Sequence, residues 1–464
     1  MDYDVLILGG GIIGCASAYE LSKYNINIAL IEKDYDIADD ISYVNTAVIY
    51  DGSETSNDIM YKLENEGMKL IKEHCEKFDV PYSRVGSLRI SSSEDENKKI
   101  DIMYDNARKR GIDGVHIIED NAIYDIEPNL KIKANKALYC ENIAVISPYN
   151  LAISYAEVAA DNGVNFRLEE EVIDIQNISG GFRVTTNKNK FTCKFVVNTT
   201  PNEISTIENE NKVDIINNKK MNYILCNEKS NDHMKSVIIN DINDGEFVIS
   251  IPTLSNGNLI GIKGHGSLSL EDGVDIAKSI YINLNKNDVT NIFTEPYTKY
   301  SMFIDESKLD EGYIKVSGSH YGKITIAPTI AKKIEQTLKR NMNITEKKDY
   351  IDKKRESYVF KNMSKEEKNQ IISLDKRYGN IICSCNNITE GEIVDCIRRP
   401  LGARTVEGVK RRTGVGLGKC NGSYCNMKIV KILAREMNKS PLSIVDDSMD
   451  SKILVSRIKE FNGI

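Results

Sequence analysis

Tyr3-Asp4-Val5-Leu6-Ile7-Leu8-Gly9-Gly10-Gly11-Ile12-Ile13-Gly14 is the stretch on which the fold turns. Six residues of strand length and mostly apolar character run straight into Gly9-x-Gly11-x-x-Gly14. A helical apolar period follows from Ile12 to about Tyr24, and a second strand, Ile26 to Ile31, ends in Glu32. Strand, glycines, helix, strand and acid in that order form the dinucleotide-binding unit. The glycines permit a tight turn and let the backbone, with Ile12 and Ile13 opening the helix, approach a pyrophosphate at the positive helix N-terminus. Glu32 stands where an acid accepts a hydrogen bond from a ribose hydroxyl. The motif alone leaves FAD and NAD both open.

Working outward, 464 residues suffice for two or three domains with substantial cores. A net charge of −7 with scattered Lys and Arg excludes a nucleic-acid surface from the reading. The run Lys410-Arg411-Arg412 is expected to be a solvated helix face. The first strand begins at residue 3 and no apolar run approaches membrane-spanning length, so the expectation is a cytoplasmic protein without a membrane span.

Helical spacing recurs at Ile59 to Lys77 and Pro148 to about Asp161. Strands are expected near Gly86 to Ile90, Asn165 to Leu168, Val172 to Ile175, Phe182 to Thr186 and Lys194 to Val197. Residues 220 to 320 read as short strands inserted as a sheet, and a last helix is expected from Ala327 to Arg340. The expected domains are an oxidoreductase region over 1–343, a charged, solvated linker over 344–377, a small domain over 378–440 and a tail over 441–464.

Five of ten cysteines fall after residue 380. Cys383-x-Cys385, 34 intervening residues, and Cys420-x4-Cys425 provide four soft thiolates beside a loop with Gly414, Gly416 and Gly418. That set fits a [2Fe-2S] cluster, with a four-thiolate zinc as the alternative. Cys396 falls on an apolar helical pattern and is read as core. Thr389-x-x-Glu392 is a capping box, and Thr405 is a second N-cap.

The motifs Ile382-Cys383-Ser384-Cys385, Thr389-Glu390-Gly391-Glu392-Ile393, Arg398-Arg399-Pro400-Leu401-Gly402-Ala403 and Gly408-Val409-Lys410-Arg411-Arg412-Thr413 carry a resemblance. Residues 378 to 433 resemble the bacterioferritin-associated-ferredoxin-like [2Fe-2S] domain at the end of anaerobic glycerol-3-phosphate dehydrogenase-like flavoproteins. With Gly86-Ser87-Leu88, Ser147-Pro148-Tyr149, Asn198 and Ala327-Pro328, the rest is similar to the same group, in the D-amino-acid-oxidase-like superfamily. The resemblance implies an α/β protein: a Rossmann-like FAD-binding domain interleaved with an antiparallel β-rich substrate domain, plus a small helical [2Fe-2S]-binding domain.

It also implies FAD at Gly9, Gly11, Ile12, Ile13 and Gly14, with Glu32 and Lys33 at the ribose and Val172 offering its backbone to the adenine. Asn45 and Thr46 would lie on the loop passing the flavin, Asn198 near the glycine turn, and Gly322 and Thr325 near the isoalloxazine. The implied chemistry is hydride transfer to flavin from a C–H bearing a hydroxyl or amine, with electrons leaving singly through a cluster on Cys383, Cys385, Cys420 and Cys425.

Several positions depart from the pattern. Asp39 and Asp40 stand at the pyrophosphate loop, Ala47 and Tyr50 where a Gly and a His are common, and Pro201 and Lys323 where glycines are usual. The substrate-binding Arg expected between Phe293 and Asp305 is missing, leaving Lys299. His320 is the expected base, with His265 second; Tyr50 is a hydroxyl donor, and Lys323 a cation for a flavin anion. The expected function is an FAD-dependent dehydrogenase for a small hydroxylated substrate, glycerol 3-phosphate by resemblance, that passes electrons to a redox partner or electron-accepting subunit. The rivals are an amine, opine or amino-acid dehydrogenase subunit and a degenerate flavoprotein scaffold.

Overall fold

The computed structural model describes residues 1–38, 47–200, 219–226, 234–243, 245–254, 257–281, 284–296, 302–318, 320–418 and 420–456. Asp39, Asp40, Asn45, Thr46, Pro201 and Lys299 lie outside the described residues. The helices are α1 (Ile12–Leu21), α2 (Asp58–Phe78), α3 (Glu94–Lys109), α4 (Asn121–Ile126), α5 (Pro148–Asp161), α6 (Leu270–Ala277), α7 (Lys323–Asn341), α8 (Lys365–Leu374), α9 (Glu390–Arg398), α10 (Val406–Thr413) and α11 (Asn426–Glu436).

The opening strand Tyr3–Leu8 lies at the centre of a parallel sheet in the order Asn165–Arg167, Ile28–Ile31, Tyr3–Leu8, Lys190–Asn198, Tyr313–Ser317. Its side chains alternate, as a pleated strand requires. Val5 and Ile7 join the core built with α1, α5 and α7, whereas Leu6 and Leu8 pack beneath the hairpin Val172–Ile178/Gly181–Thr186. Both faces are covered, which explains the nearly continuous apolar run in this strand.

The second sheet runs Val289–Pro296, Lys219–Cys226, Asn258–His265, Glu246–Pro252, Val237–Asn243, Ser87–Ser91, Lys136–Cys140, Val115–Glu119. Its pairings are antiparallel except that of Val237–Asn243 with Ser87–Ser91. The chain therefore enters this sheet twice, and the single insertion over 220 to 320 expected from sequence is too narrow. The three strands from residues 87 to 140 complete it, followed or preceded by α3, whose Ser93–Glu96 capping box starts it cleanly.

Helix α7 begins at Lys323 and passes through Pro328, four residues earlier than expected. Tertiary contacts hold that first stretch: Thr325 Oγ1 donates to Val48 O and Thr329 Oγ1 to Leu63 O. The charged segment after residue 344 is largely exposed and carries α8, as expected of a partly helical, solvated linker, but it is also tied to the first domain. Tyr19 Oη donates to Asp352 Oδ1 at 2.9 Å, Lys77 pairs with Asp352 at 2.6 Å, and Asn162 exchanges hydrogen bonds with the Ile351 backbone. Arg355 forks onto Asp161. This strap is attached by polar groups, so apolar periodicity carried no sign of it.

The C-terminal module packs α9, α10 and α11 over one apolar core with the ribbon Ile381–Cys383/Ile388–Thr389. The segment after residue 440 joins it, through Val406 N to Val445 O (3.2 Å) and Glu407 N to Asp446 O (2.8 Å). Lys410, Arg411 and Arg412 are not a solvated face: Lys410 pairs with Glu407, Arg411 with Asp447 and Arg412 with Asp36, and all three side chains are largely buried. No helix among the described residues is long and apolar enough to cross a membrane.

Candidate functional site

The three glycines of the fingerprint meet three different demands. Gly9 adopts φ +98°, which closes the turn. A Cβ on Gly14 would sit 1.9 Å from Gly9 O, so only glycine lets α1 approach the strand. A Cβ on Gly11 would meet nothing within 4 Å, and Gly11 has no side-chain cap at the start of α1. The helix N-terminus beside Ile12 and Ile13 is thus open on the one side where a pyrophosphate needs backbone N–H groups.

Glu32 Oε2 accepts from Gly10 N (2.5 Å) and Oε1 from Asp34 N (3.0 Å), which fixes the carboxylate at the end of its strand. Further lone pairs on those oxygens suit a ribose hydroxyl. Lys33 is exposed, 3.9 Å from Asp34, and Val172 opens the hairpin strand. Asn198 is fully buried and engaged, donating to Tyr313 Oη (2.9 Å) and accepting from Thr200 N and Oγ1. It shapes the strand end. Next to it, Thr199 Oγ1 donates to Leu8 O (2.8 Å), closing the strand onto the glycine turn.

At the other end, Tyr50, Thr325, Gly322 and His320 come together where the strand Ala47–Ile49 meets α7. Tyr50 N donates to Thr325 Oγ1 (3.2 Å), and the Tyr50 ring meets Tyr321 edge-on at 4.8 Å. Lys323 is exposed on the first turn of α7. His265 ends a strand of the second sheet, opposite Lys219.

His320 departs from the free base expected of it. It is buried, and its Nδ1 accepts from Gly322 N at 3.0 Å. With Nδ1 as acceptor, the neutral ring carries its proton on Nε2. Burial holds its pKa down at about 4, so it rests as an uncharged Nε2–H donor.

Sequence reasoning missed Glu64. It lies on α2 with no exposed surface, and its Oε1 is 3.5 Å from His320 Nδ1. Burial, then Glu54 and Asp51, push its carboxyl up to about 8, against weaker pulls from Tyr321 and Arg110. Asp51 is also buried and raised by burial, though Ser53 N and Oγ hold one oxygen. Glu54 is neutralised by Arg89, which also pairs with Asp241. Only the lack of an apolar reason for a carboxylate on the inner face of α2 could have signalled Glu64.

In the C-terminal module the thiols meet in pairs. Cys385 Sγ and Cys420 Sγ are 3.7 Å apart, about the edge of a tetrahedron with metal–sulfur bonds of ~2.3 Å. Cys383 and Cys425 are buried neighbours; burial, followed by Cys383 and Cys420, pushes the Cys425 thiol up to about 11. Convergent thiols that resist ionisation together are relieved by bound metal cations. The Gly422 N–H holds the Cys420 thiol below its usual range against the opposing effect of burial, and Cys385 and the Tyr424 N–H add to it. Gly418 passes so close that a Cβ there would lie 2.4 Å from Cys385 Cβ. Cys396 is buried core, donating to Ile393 O (3.1 Å).

Two ion pairs join this module to the dinucleotide domain. Arg412 forks onto both oxygens of Asp36 and also donates to Tyr149 Oη and to Leu401 O (2.8 Å). The Arg412 and Asp36 side chains are only 6% and 2% exposed. Arg399 forks onto Glu157 at 2.8 and 3.0 Å. Asp36 lies just beyond Glu32, on a loop tied to the fingerprint by Ala38 N to Gly10 O (2.8 Å).

Fold and cradles together define a dinucleotide-dependent redox protein with a thiolate-held iron–sulfur module. The chain belongs to the FAD-dependent oxidoreductases: residues 4–333 match the family described as FAD dependent oxidoreductase, and residues 381–435 match the BFD-like [2Fe-2S] binding domain. It is 34% identical to the glycerol 3-phosphate dehydrogenase of Caloramator mitchellensis, over 98% of this chain and 99% of that one. The glycerol 3-phosphate oxidase of Mycoplasma pneumoniae is 24% identical over 75% of this chain and 97% of its own. Among solved structures, the dithionite-reduced, FAD-bound L-alpha-glycerophosphate oxidase of Mycoplasma pneumoniae has a TM-score of 0.67 at 23% identity, covering 77% of this chain and 99% of that chain. Glycine oxidase from Geobacillus kaustophilus has a TM-score of 0.62 at 18% identity, over 75% and 96%. These structures share the fold. With FAD and a [2Fe-2S] cluster as its cofactors, the chain is an oxidoreductase, and the scaffold reading is set aside.

Proposed function

We propose that this chain is a dehydrogenase that oxidises a small phosphorylated alcohol, glycerol 3-phosphate or a close analogue, and passes the electrons through its own cluster to a redox partner. One observation carries the reading. The relative named a dehydrogenase aligns with essentially the whole chain, whereas the relative named an oxidase leaves about a quarter of it without a counterpart. Bound at these cradles, FAD supplies a hydride acceptor and the cluster a one-electron exit.

The side chains divide the remaining work. Gly9, Gly11, Gly14 and Glu32 hold the dinucleotide, and Cys383, Cys385, Cys420 and Cys425 hold the cluster. Tyr50, His320 and Lys323 are assigned to the substrate end, where the Nε2–H of His320 orients the substrate oxygen and Lys323 supplies a cation. Gly322 and Thr325 set the backbone there. The Arg412–Asp36 clamp keeps the one-electron exit attached to the dinucleotide domain.

The buried carboxyls Asp51 and Glu64, with Glu54 beside them, favour a second reading, an amine, opine or amino-acid dehydrogenase subunit, because carboxyl oxygens accept hydrogen bonds from an amine. Anaerobic flavin bleaching separates the two. Glycerol 3-phosphate should bleach the protein and amino acids should not; the reverse result overturns the proposal.

A further inference from the structure

Glu64 and His320 face each other in a way that needs a proton. The imidazole Nδ1 presents a lone pair that accepts from Gly322 N, and a Glu64 carboxyl oxygen lies 3.5 Å from the same nitrogen. Two acceptors pressed together repel unless one carries hydrogen. Neither Glu64 oxygen has a hydrogen-bond partner of normal geometry among the described residues.

The approach is enforced by packing. A Cβ on Gly322 would lie 2.8 Å from Glu64 Oε1, and a Cβ on Gly67, one turn along α2, would lie 2.0 Å from Thr325 O. The backbone obstacle at Gly67 admits only glycine and holds α2 against α7, whereas a methyl at Gly322 would push on the Glu64 carboxyl itself. Glu54 and Asp51 face Glu64 as like charges, with Arg110 and the Tyr321 hydroxyl opposing them.

We propose that Glu64 is a positioning residue for His320: while its carboxyl keeps its proton the imidazole stays an Nε2–H donor, and once that proton has gone to solvent the ring becomes a base. This rests on His320 lying at the substrate end. When Glu64 gives its proton to solvent, the ring's own hydrogen moves by exchange from Nε2 to Nδ1, which gives up the bond from Gly322 N and is directed at the carboxylate, and Nε2 gains a lone pair. In that form Nε2 would take the substrate's hydroxyl proton, the O–H bond breaking as an Nε2–H bond forms, while bound FAD would supply the acceptor for the hydride of the C–H bond.

The sign of the pH dependence follows from linkage. The folded carboxyl keeps its proton to about pH 8, whereas a glutamate in the unfolded chain loses it near 4.5. Between these values the folded protein binds the extra proton, so this contribution to stability is whole below 4.5 and is lost as pH rises to about 8. One proton corresponds to a roughly tenfold change in the folding constant per pH unit.

The test uses holoprotein and its Glu64→Gln variant. Nitrogen NMR of labelled histidine should show His320 neutral with hydrogen on Nε2 at pH 7, moving toward Nδ1 above pH 8 in the wild type but not in the variant. Folding stability of the variant should lack the tenfold-per-unit loss. Parallel stability curves, or a wild-type imidazole charged at pH 7, would sink the pair even if the variant folds poorly. Turnover should rise with the tautomer change. A tautomer change that turnover ignores would instead overturn the place of His320 in the reaction.

Discussion

The cluster module and the group of side chains at the start of α7 differ in how far apart along the chain their residues lie. Cys420 and Cys425 share one loop, and Cys383 and Cys385 one ribbon, inside a module of about 80 residues. At the start of α7, Tyr50 just after a strand, Glu64 on α2 and His320 just before α7 span more than 250 residues of chain. Local sites leave spacing signatures, and long-range sites do not. Yet the two regions are held as one unit by Arg412 and Asp36, a contact that spans 376 positions.

The largest effects should come from emptying each cradle separately. Gly14→Ala places a Cβ 1.9 Å from Gly9 O, so α1 must move off its strand. Flavin per chain should fall nearly to zero while iron and acid-labile sulfide stay at two each. Cys420→Ser should do the converse, losing cluster absorbance with flavin retained. Loss of both cofactors in either variant would break the comparison, because it would mean the two cradles fold only together.

Next in size is the clamp. Asp36→Ala leaves the Arg412 guanidinium buried without its carboxylate, which costs about 3–5 kcal/mol in comparable buried pairs. Urea denaturation followed by cluster absorbance and by flavin fluorescence should then give two separated transitions where the wild type gives one. Asp36→Leu combined with Arg412→Met should recover most of the loss, since a buried pair exchanged for apolar groups is often neutral. A single unshifted transition in Asp36→Ala would show the clamp to be incidental.

Much of this was legible in the sequence. The dinucleotide-binding region and the [2Fe-2S] module follow from spacing because the glycine fingerprint and each cysteine pair are set within a short segment. The first turn of α7 was not legible, because Thr325 and Thr329 hold it through carbonyls on distant elements. The tethering of residues 345 to 355 was not legible because it runs through Asp352, Arg355 and the Ile351 backbone rather than an apolar stripe. The basic run was misread for a related reason: local composition cannot reveal that Arg412 has a buried acid waiting in another domain. The resting tautomer of His320 was not legible either, since it depends on the bond from Gly322 N.

The smallest effect tests how much the local site owes to a cap. Thr389 Oγ1 accepts from Glu392 N, and Glu392 Oε2 accepts from Thr389 N at 2.8 Å, while Glu392 Oε1 accepts from Phe360 N at 3.1 Å. Thr389 also pairs with Ile381 in the ribbon that carries Cys383. One capping box thus starts α9, fixes the ribbon and anchors the preceding segment. Thr389→Ala should cost about 1 kcal/mol, the usual loss at an N-cap. Cluster content should stay full, with only the cluster-monitored urea midpoint shifted downward. If iron is lost as well, the ribbon register depends on the cap, and the cluster site is less self-contained than its cysteine spacing implies.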